Sequence, residues 1–424
     1  MIKLFFFHRL SINSILFFLL FFTIIFDFRS SSDTSNLPVA ILGITNFISG
    51  LILILKKNKI EKRIMIFLIP FWFFSIGSTF VGLLRGQEFF SVFAQIIPVL
   101  LFCNVALIVA IFSENFEKLM RIVNISILSA IFSAIWKLFF SFYYYDLNIE
   151  TVRYQIISGA TILLFSYGAS GFILQKQRMM FFSLLLSLGV VFISVTRTYI
   201  LVFLISILLA FFSLPLKLMF IKLRKFINAI FVLFVLFVLF YFTEPLIVER
   251  WVARIFSSRK TGGQDITSLT RIAEIKGQLE YLFNDILGFL FGFGISANTY
   301  WSGQELHEII STLGVNFETV GYSYGHNLYV GSLYVGGVIF SIPMLFCILF
   351  TPLYGIYFFK KNYNKMESYH IFILFFSIFS VLGYLVYGMM AGLLGDRSIA
   401  FYYGIAFGLL IRSLNIRLKS SNSS

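Results

Sequence analysis

The sequence predicts an all-α polytopic membrane protein of about twelve transmembrane helices with one large periplasmic loop. Three observations lead there. Hydrophobic residues make up 59% of the 424 and charged residues only 12%, about half the roughly 25% charged content usual for a soluble chain. Apolar runs long enough to cross a bilayer, which takes about 20 residues, recur along the whole chain. The charges fall almost entirely between those runs. With 57 phenylalanines, no soluble globule could hide the apolar surface present.

In order, the predicted spans are 10–27, 37–55, 64–84, 89–112, 122–142, 156–174, 179–196, 198–215, 226–243, 327–351, 369–391 and 398–411. Only Asp27, at a boundary, and Lys137 carry charge inside them. A charge at the bilayer centre costs about 3 kcal/mol on insertion scales, so this partition supports the assignment. The 179–215 stretch reads either as two spans or as one broken helix, and the last span is the shortest. Lys3 and Arg9 precede the first apolar run as in a signal peptide. No small-residue cleavage site follows at Asp27-Phe28-Arg29-Ser30, which predicts an uncleaved first helix.

Placing both termini in the cytoplasm puts 21 Lys and Arg against four acidic residues on that side. The other side then holds 11 basic and 15 acidic residues. This is the positive-inside pattern, and it accounts for the net charge of +14 without invoking nucleic acid. Cys103 and Cys347 both lie in apolar runs, which argues against a disulfide framework or a thiolate metal site. No internal repeat of the kind many transporters carry is visible.

The chain divides into 1–243, holding nine spans, then a loop over 244–325, then 326–424 with three spans and a cytoplasmic tail. A connection that long inside a compact domain is usually functional. Within it, 269–283 has helical periodicity, with Ile275, Leu279, Leu282 and Phe283 on one stripe. Arg271, Glu274, Gln278 and Tyr281 fall on another face, and Thr267 or Ser268 is placed to cap the helix.

Candidate chemistry concentrates on the outer face. Arg197, in the break Thr196-Arg197-Thr198 between two spans, is either an interfacial anchor or a bidentate ligand for phosphate oxygens. Lys137 reads as a snorkelling lysine near the outer end of its span. Arg271 and Glu274, one helical turn apart, are either a surface ion pair or part of a polar site for a sugar phosphate. His326, where the large loop returns to the membrane, is either a helix-terminal polar residue or a proton acceptor. His307 lacks the second histidine of a zinc helix. The Gly321-x-Ser323-x-Gly325 pattern lacks the strand and downstream partners of a hydrolase elbow. Gly404 and Gly408 form a helix-packing pair.

These residues and their order resemble the O-antigen ligase and polymerase superfamily of bacterial envelope glycosyltransferases. The resemblance covers the whole topology and three short motifs. Thr196-Arg197-Thr198 is similar to the family's small-Arg-small signature. Arg271 followed by Gly292-Phe293-Gly294 is similar to its loop Arg and G-x-G. Gly325-His326-Asn327-x-Tyr329 with Gly336-Gly337 is similar to its His-Asn motif. Arg153, before the sixth span, sits where members often carry another Arg.

The resemblance implies a GT-C-like inner-membrane glycosyltransferase that needs no metal or other cofactor. It implies His326, Arg271 and Arg197 as catalytic residues, and Arg153, Glu274, Gly292, Gly294, Asn327 and Tyr329 as substrate-binding ones. The implied partners are an undecaprenyl diphosphate-linked oligosaccharide, membrane lipid and a chain-length regulator protein. A polymerase of polysaccharide repeat units is the expected member, and a ligase acting on lipid A-core is the alternative. A polysaccharide flippase is the competing class, weakened by the near absence of charges in the spans; a scaffold without activity is a third.

Overall fold

A backbone in hydrocarbon has no water to bond, so an apolar run must close its own hydrogen bonds as a helix. In the computed structural model, all twelve predicted runs are helical. The structure describes residues 12–26, 37–56, 61–113, 115–144, 156, 158–174, 178–194, 196–243, 266–300, 302–303, 319–320 and 325–416. The helices over the first nine runs are α1 (Ile12–Thr23, continued by a 3-10 turn Ile24–Phe26), α2 (Leu37–Leu55), α3 (Lys62–Leu84), α4 (Phe89–Phe112), α5 (Phe116–Tyr144), α6 (Ala160–Leu174), α7 (Arg178–Ser194), α8 (Arg197–Ser213) and α9 (Leu216–Thr243). The loop contributes α10 (Ile266–Asn284) and α11 (Ile286–Phe291). The last three runs are α12 (Leu328–Asn362), α13 (Ser368–Gly388) and α14 (Arg397–Asn415). Two two-residue strands, Thr299–Tyr300 and Thr319–Val320, pair antiparallel.

The chain is an all-helical membrane-embedded protein. Among the described residues, α3, α4, α5, α13 and α12 with its following turn are long and apolar enough to cross a membrane. Five further apolar helices are shorter. The region 179–215 is two helices, since helical structure breaks between Ser194 and Arg197. Several helices outrun their apolar cores. α12 continues to Asn362, past Lys360 and Lys361, and α9 begins at Leu216. Lys and Arg are good helix formers whose heads reach water while their stems cover apolar surface.

α13 is buried almost throughout and contacts α6, α8, α12 and α14. The most extensive pairing between described helices is α4 with α14. Gly404 and Gly408 lie on that seam, as expected of a small-residue packing motif. A Cβ on Gly404 would sit 2.8 Å from the Phe102 carbonyl oxygen, and one on Gly408 2.5 Å from that of Ala106.

Two ends of the bundle can be told apart. At one, Arg412 of α14 pairs with Glu61 at 2.7 Å and donates from Nε to the Ser113 carbonyl at 2.8 Å. His370 Nε2 donates to the Ser413 carbonyl at 3.0 Å. At the other, the Asn327 amide donates to the Met389 carbonyl at 3.0 Å, joining the start of α12 to the end of α13. This second end is the His326 end.

Lys137 departs from expectation. Rather than snorkelling out of the bundle, it is 3% exposed. α5 turns this face toward neighbouring helices, and buried Ser126, Ser129, Ser133 and Ser141 share it at helical spacing.

α12 contains one break. Gly337 has φ +58, a conformation that L side chains rarely adopt, within an otherwise continuous helix. The break frees the Tyr334 and Val335 carbonyls, which accept from the Phe293 and Gly294 amides at 2.8 and 2.9 Å. The next amide, Ile295, donates to the Ser78 carbonyl of α3 at 3.0 Å. The loop therefore threads its backbone between α3 and α12.

Replacing Gly337 with alanine should cost about 1–3 kcal/mol. The new Cβ would lie 2.5 Å from the Leu290 carbonyl oxygen, in a strained backbone conformation. Gly408→Leu should overpack the α4–α14 seam by a similar amount, about 1–3 kcal/mol. Thermal unfolding of the purified protein in detergent checks both, with Gly189→Ala, at a position with no atom near its Cβ, as the neutral control.

Candidate functional site

Asn327 sets the start of α12. Its Oδ1 accepts from the Tyr329 and Val330 amides at 3.0 and 3.1 Å, closing two of the donors that a helix leaves open. The Tyr329 hydroxyl donates to the Leu385 carbonyl at 3.2 Å. Asn327 and Tyr329, expected to bind substrate, thus cap α12 and tie it to α13.

The residue before the cap, His326, meets α10. Its backbone amide donates to Glu274 Oε2 at 3.0 Å, and its ring Nδ1 lies 2.8 Å from the same oxygen. The Glu274 side chain is 3% exposed and that of His326 is 55% exposed. A carboxylate accepts, so Nδ1 is the donor, and in the neutral imidazole Nε2 is the nitrogen with the lone pair. Gly325 makes the approach feasible. It has φ +57, and a Cβ there would collide with Oε1 and sit 2.8 Å from Cδ of Glu274.

The loop helix buries residues of both faces read from its periodicity. α10 begins at Ile266, so Thr267 and Ser268 stand in its first turn rather than at its cap. Glu274 and Gln278 of the polar face and Leu282 of the apolar stripe are buried, whereas Tyr281 and Phe283 are exposed. Glu274 is held inward by His326, whose amide and imidazole both meet its carboxylate, and Gly325 admits it. Arg271 lies one turn before Glu274 on the same helix and is partly exposed.

Arg197 opens α8 and is also partly exposed. Two residues on, the Tyr199 ring lies 5.3 Å from that of Tyr387 near the end of α13, and its hydroxyl donates to the Ser158 carbonyl at 3.2 Å. Arg197 therefore stands at the same end of the bundle as His326 and Met389. Gly292 and Gly294, expected to bind substrate, are buried in backbone packing. A Cβ on Gly292 would sit 2.5 Å from the Gly337 nitrogen, and one on Gly294 would collide with Gly82. Arg153, His307 and the serine of the Gly321–Gly325 pattern lie outside the described residues.

One ion pair fastening the loop escaped the sequence reading. Arg85, just past α3, pairs with Asp285 at 2.9 Å and stacks over the Phe293 ring at 4.6 Å. Asp285 also caps α11 by accepting from the Leu287 amide at 3.0 Å. The Arg85 hydrogen bond holds the Asp285 carboxyl below its ordinary range. Nothing in the sequence pairs two residues 200 positions apart. Among the described residues, no three His, Cys, Asp or Glu side chains gather as metal ligands.

Comparison with known proteins finds no family model that matches the chain, and no match among curated proteins.

A carboxylate whose pKa is lowered on folding contributes stability above its unfolded pKa and loses it as pH falls through the lower folded value. The wild type should therefore lose thermal stability in acid faster than Asp285→Asn, with the two curves converging at the acid end. The difference should be small, because the pair is partly exposed. Melting curves across the acid range check the sign.

Proposed function

We propose that this protein is a glycosyltransferase of the bacterial inner membrane that joins undecaprenyl diphosphate-linked repeat units of a surface polysaccharide. In this reading the chain crosses the membrane twelve times, both termini are cytoplasmic and the His326 end faces the periplasm. The observation that carries it is the pair made by an exposed imidazole and a buried carboxylate, His326 Nδ1 to Glu274 Oε2 at 2.8 Å, at one end of a membrane-embedded bundle. Arg197 and Arg271 at that same end support it.

The chemistry follows from the pair. His326 Nε2 takes the proton from the acceptor hydroxyl as its oxygen attacks the anomeric carbon of the donor sugar. The bond from that carbon to the diphosphate oxygen breaks, and its electron pair leaves with the diphosphate. Arg197 and Arg271 stabilise the charge that develops there. Glu274 fixes the tautomer and stabilises the imidazolium that forms, so its role is positioning. This revises its expected part as a substrate ligand. The acceptor is a second lipid-linked repeat unit, which defines a polymerase.

A deletion strain complemented with variants tests this by gel analysis of surface polysaccharide. His326→Ala should lower transfer roughly 10²–10⁴-fold and leave a single repeat unit on lipid A-core without a ladder. Arg197→Ala and Arg271→Ala should abolish the ladder as well. Glu274→Gln should shorten it, because an amide can hold the ring but not stabilise its charge. Long polymer retained on its lipid carrier would assign ligase activity instead. A normal ladder from His326→Ala and both arginine variants would overturn the mechanism, and a reporter within 244–325 reading cytoplasmic would overturn the topology.

A further inference from the structure

The short loop helix α11 carries apolar side chains that face out of the protein. Ile286 is 78% exposed, Leu287 62% and Phe291 37%. Apolar side chains gathered outward like this mark a surface that meets something other than water. The level of α11 in the membrane follows from the register of its neighbours. The stretch of α3 between Arg63 and Arg85 carries no charge. At about 1.5 Å per residue it spans about 30 Å, the thickness of a bilayer's hydrocarbon core, so Arg85 marks one boundary. The Arg85–Asp285 pair at 2.9 Å sets the start of α11 at that boundary. Ten residues later, the Ile295 amide donates to the Ser78 carbonyl at 3.0 Å. Ser78 lies seven residues before Arg85 on α3, about 10 Å inside the boundary. α12 gives the same depth independently. The Phe293 amide bonds the Tyr334 carbonyl, and Tyr334 lies seven residues past Asn327, where that helix starts.

The segment also meets the condition that hydrocarbon sets for backbone. The amides of Gly292, Phe293, Gly294 and Ile295 donate to the carbonyls of Gly288, Tyr334, Val335 and Ser78 at 2.7 to 3.0 Å. Non-helical backbone persists at membrane depth only where protein satisfies it in this way. On its outer side, α11 continues the apolar surface of its neighbours. α3 exposes Ile69, Phe73, Ile76, Phe80 and Leu84 at helical spacing, and α12 exposes Ile339, Ile342 and Phe346. On helices long and apolar enough to cross a membrane, such stripes face acyl chains. Phe340 of α12 joins these stripes to α11, its ring 5.0 Å from that of Phe73 and 6.2 Å from that of Phe291.

We propose that residues 286–295 form a re-entrant segment, with Ile286, Leu287 and Phe291 packed against the acyl chains of the membrane leaflet at the His326 end. The large loop then dips about 10 Å into the membrane at this point before it returns to the surface. The occupant of the α11 face is lipid. This contact does not depend on glycosyl transfer, and it is read by accessibility rather than by activity.

Spin labelling of the full-length protein in phosphatidylcholine nanodiscs tests this, with the buried Cys103 and Cys347 replaced by alanine. Nitroxides are attached singly at Leu287→Cys and Phe291→Cys. Phe80→Cys on the exposed stripe of α3 is the lipid reference, and Glu280→Cys, exposed on α10, is the water reference. Oxygen concentrates in hydrocarbon and a nickel chelate stays in water, so the ratio of their collision rates reports the medium. At Leu287 and Phe291 that ratio should match Phe80 and exceed Glu280 severalfold. A ratio equal to that at Glu280 would overturn the proposal. So would low access to both reagents, which would mean that protein, such as a second copy of the chain, covers the helix. A photocrosslinking amino acid at Leu287, with both cysteines retained, serves if the cysteine-free chain does not fold. Adducts with phosphatidylcholine are expected there, and adducts with protein alone would overturn the proposal.

Discussion

A helix interrupted inside hydrocarbon must find new partners for the carbonyls it releases, because neither lipid nor water supplies them there. At Gly337 that demand is met by the loop itself, whose Phe293 and Gly294 amides bond the freed Tyr334 and Val335 carbonyls. The remaining geometry of the loop follows from this exchange. Once the segment after α11 is threaded between α3 and α12, α10 has little freedom in where it lies. Its Glu274 then reaches the first turn of α12 just where His326 stands. The Arg85–Asp285 pair and the stacking of Phe293 on Tyr334, centroids 4.8 Å apart, hold the same segment from its other side.

The glycines around this exchange act through what they leave out. Gly82, Gly292, Gly294 and Gly337 each stand where a Cβ would press on backbone, and backbone, unlike a side chain, cannot rotate away. A G-x-G followed some forty residues later by a Gly-Gly pair is therefore the imprint of one contact on two distant stretches of chain. Read as separate motifs, they suggested substrate contacts; seen together, they are two halves of a joint.

Polar groups in the bundle divide into those that bond and those that do not. Near the Arg412 end, Arg412, Glu61 and Ser113 pair across helices, while the neighbouring Ser413 hydroxyl is buried without a partner. Hydroxyls on α5, α6 and α14, Ser133, Ser166 and Ser398 among them, are also buried without partners.

What the sequence alone determined was everything that depends on local composition. Apolar runs made the helices, since periodic burial and backbone satisfaction act within a single segment. The Gly404–Gly408 seam was legible for the same reason, because small residues one turn apart mark a close helix contact. The place of His326 at a helix start was legible too, since Asn327 caps from the adjacent position. Only the tertiary structure decided which face of α10 turns inward. There one carboxylate, bound to an imidazole 52 residues away, turns inward together with Leu282 of the apolar stripe. It also decided that Lys137 is enclosed rather than snorkelling, that Asn327 caps α12 and Tyr329 ties it to α13, and that the G-x-G glycines pack against backbone. Each of those outcomes rests on contacts between segments far apart in the chain, and spacing along one segment carries no record of them.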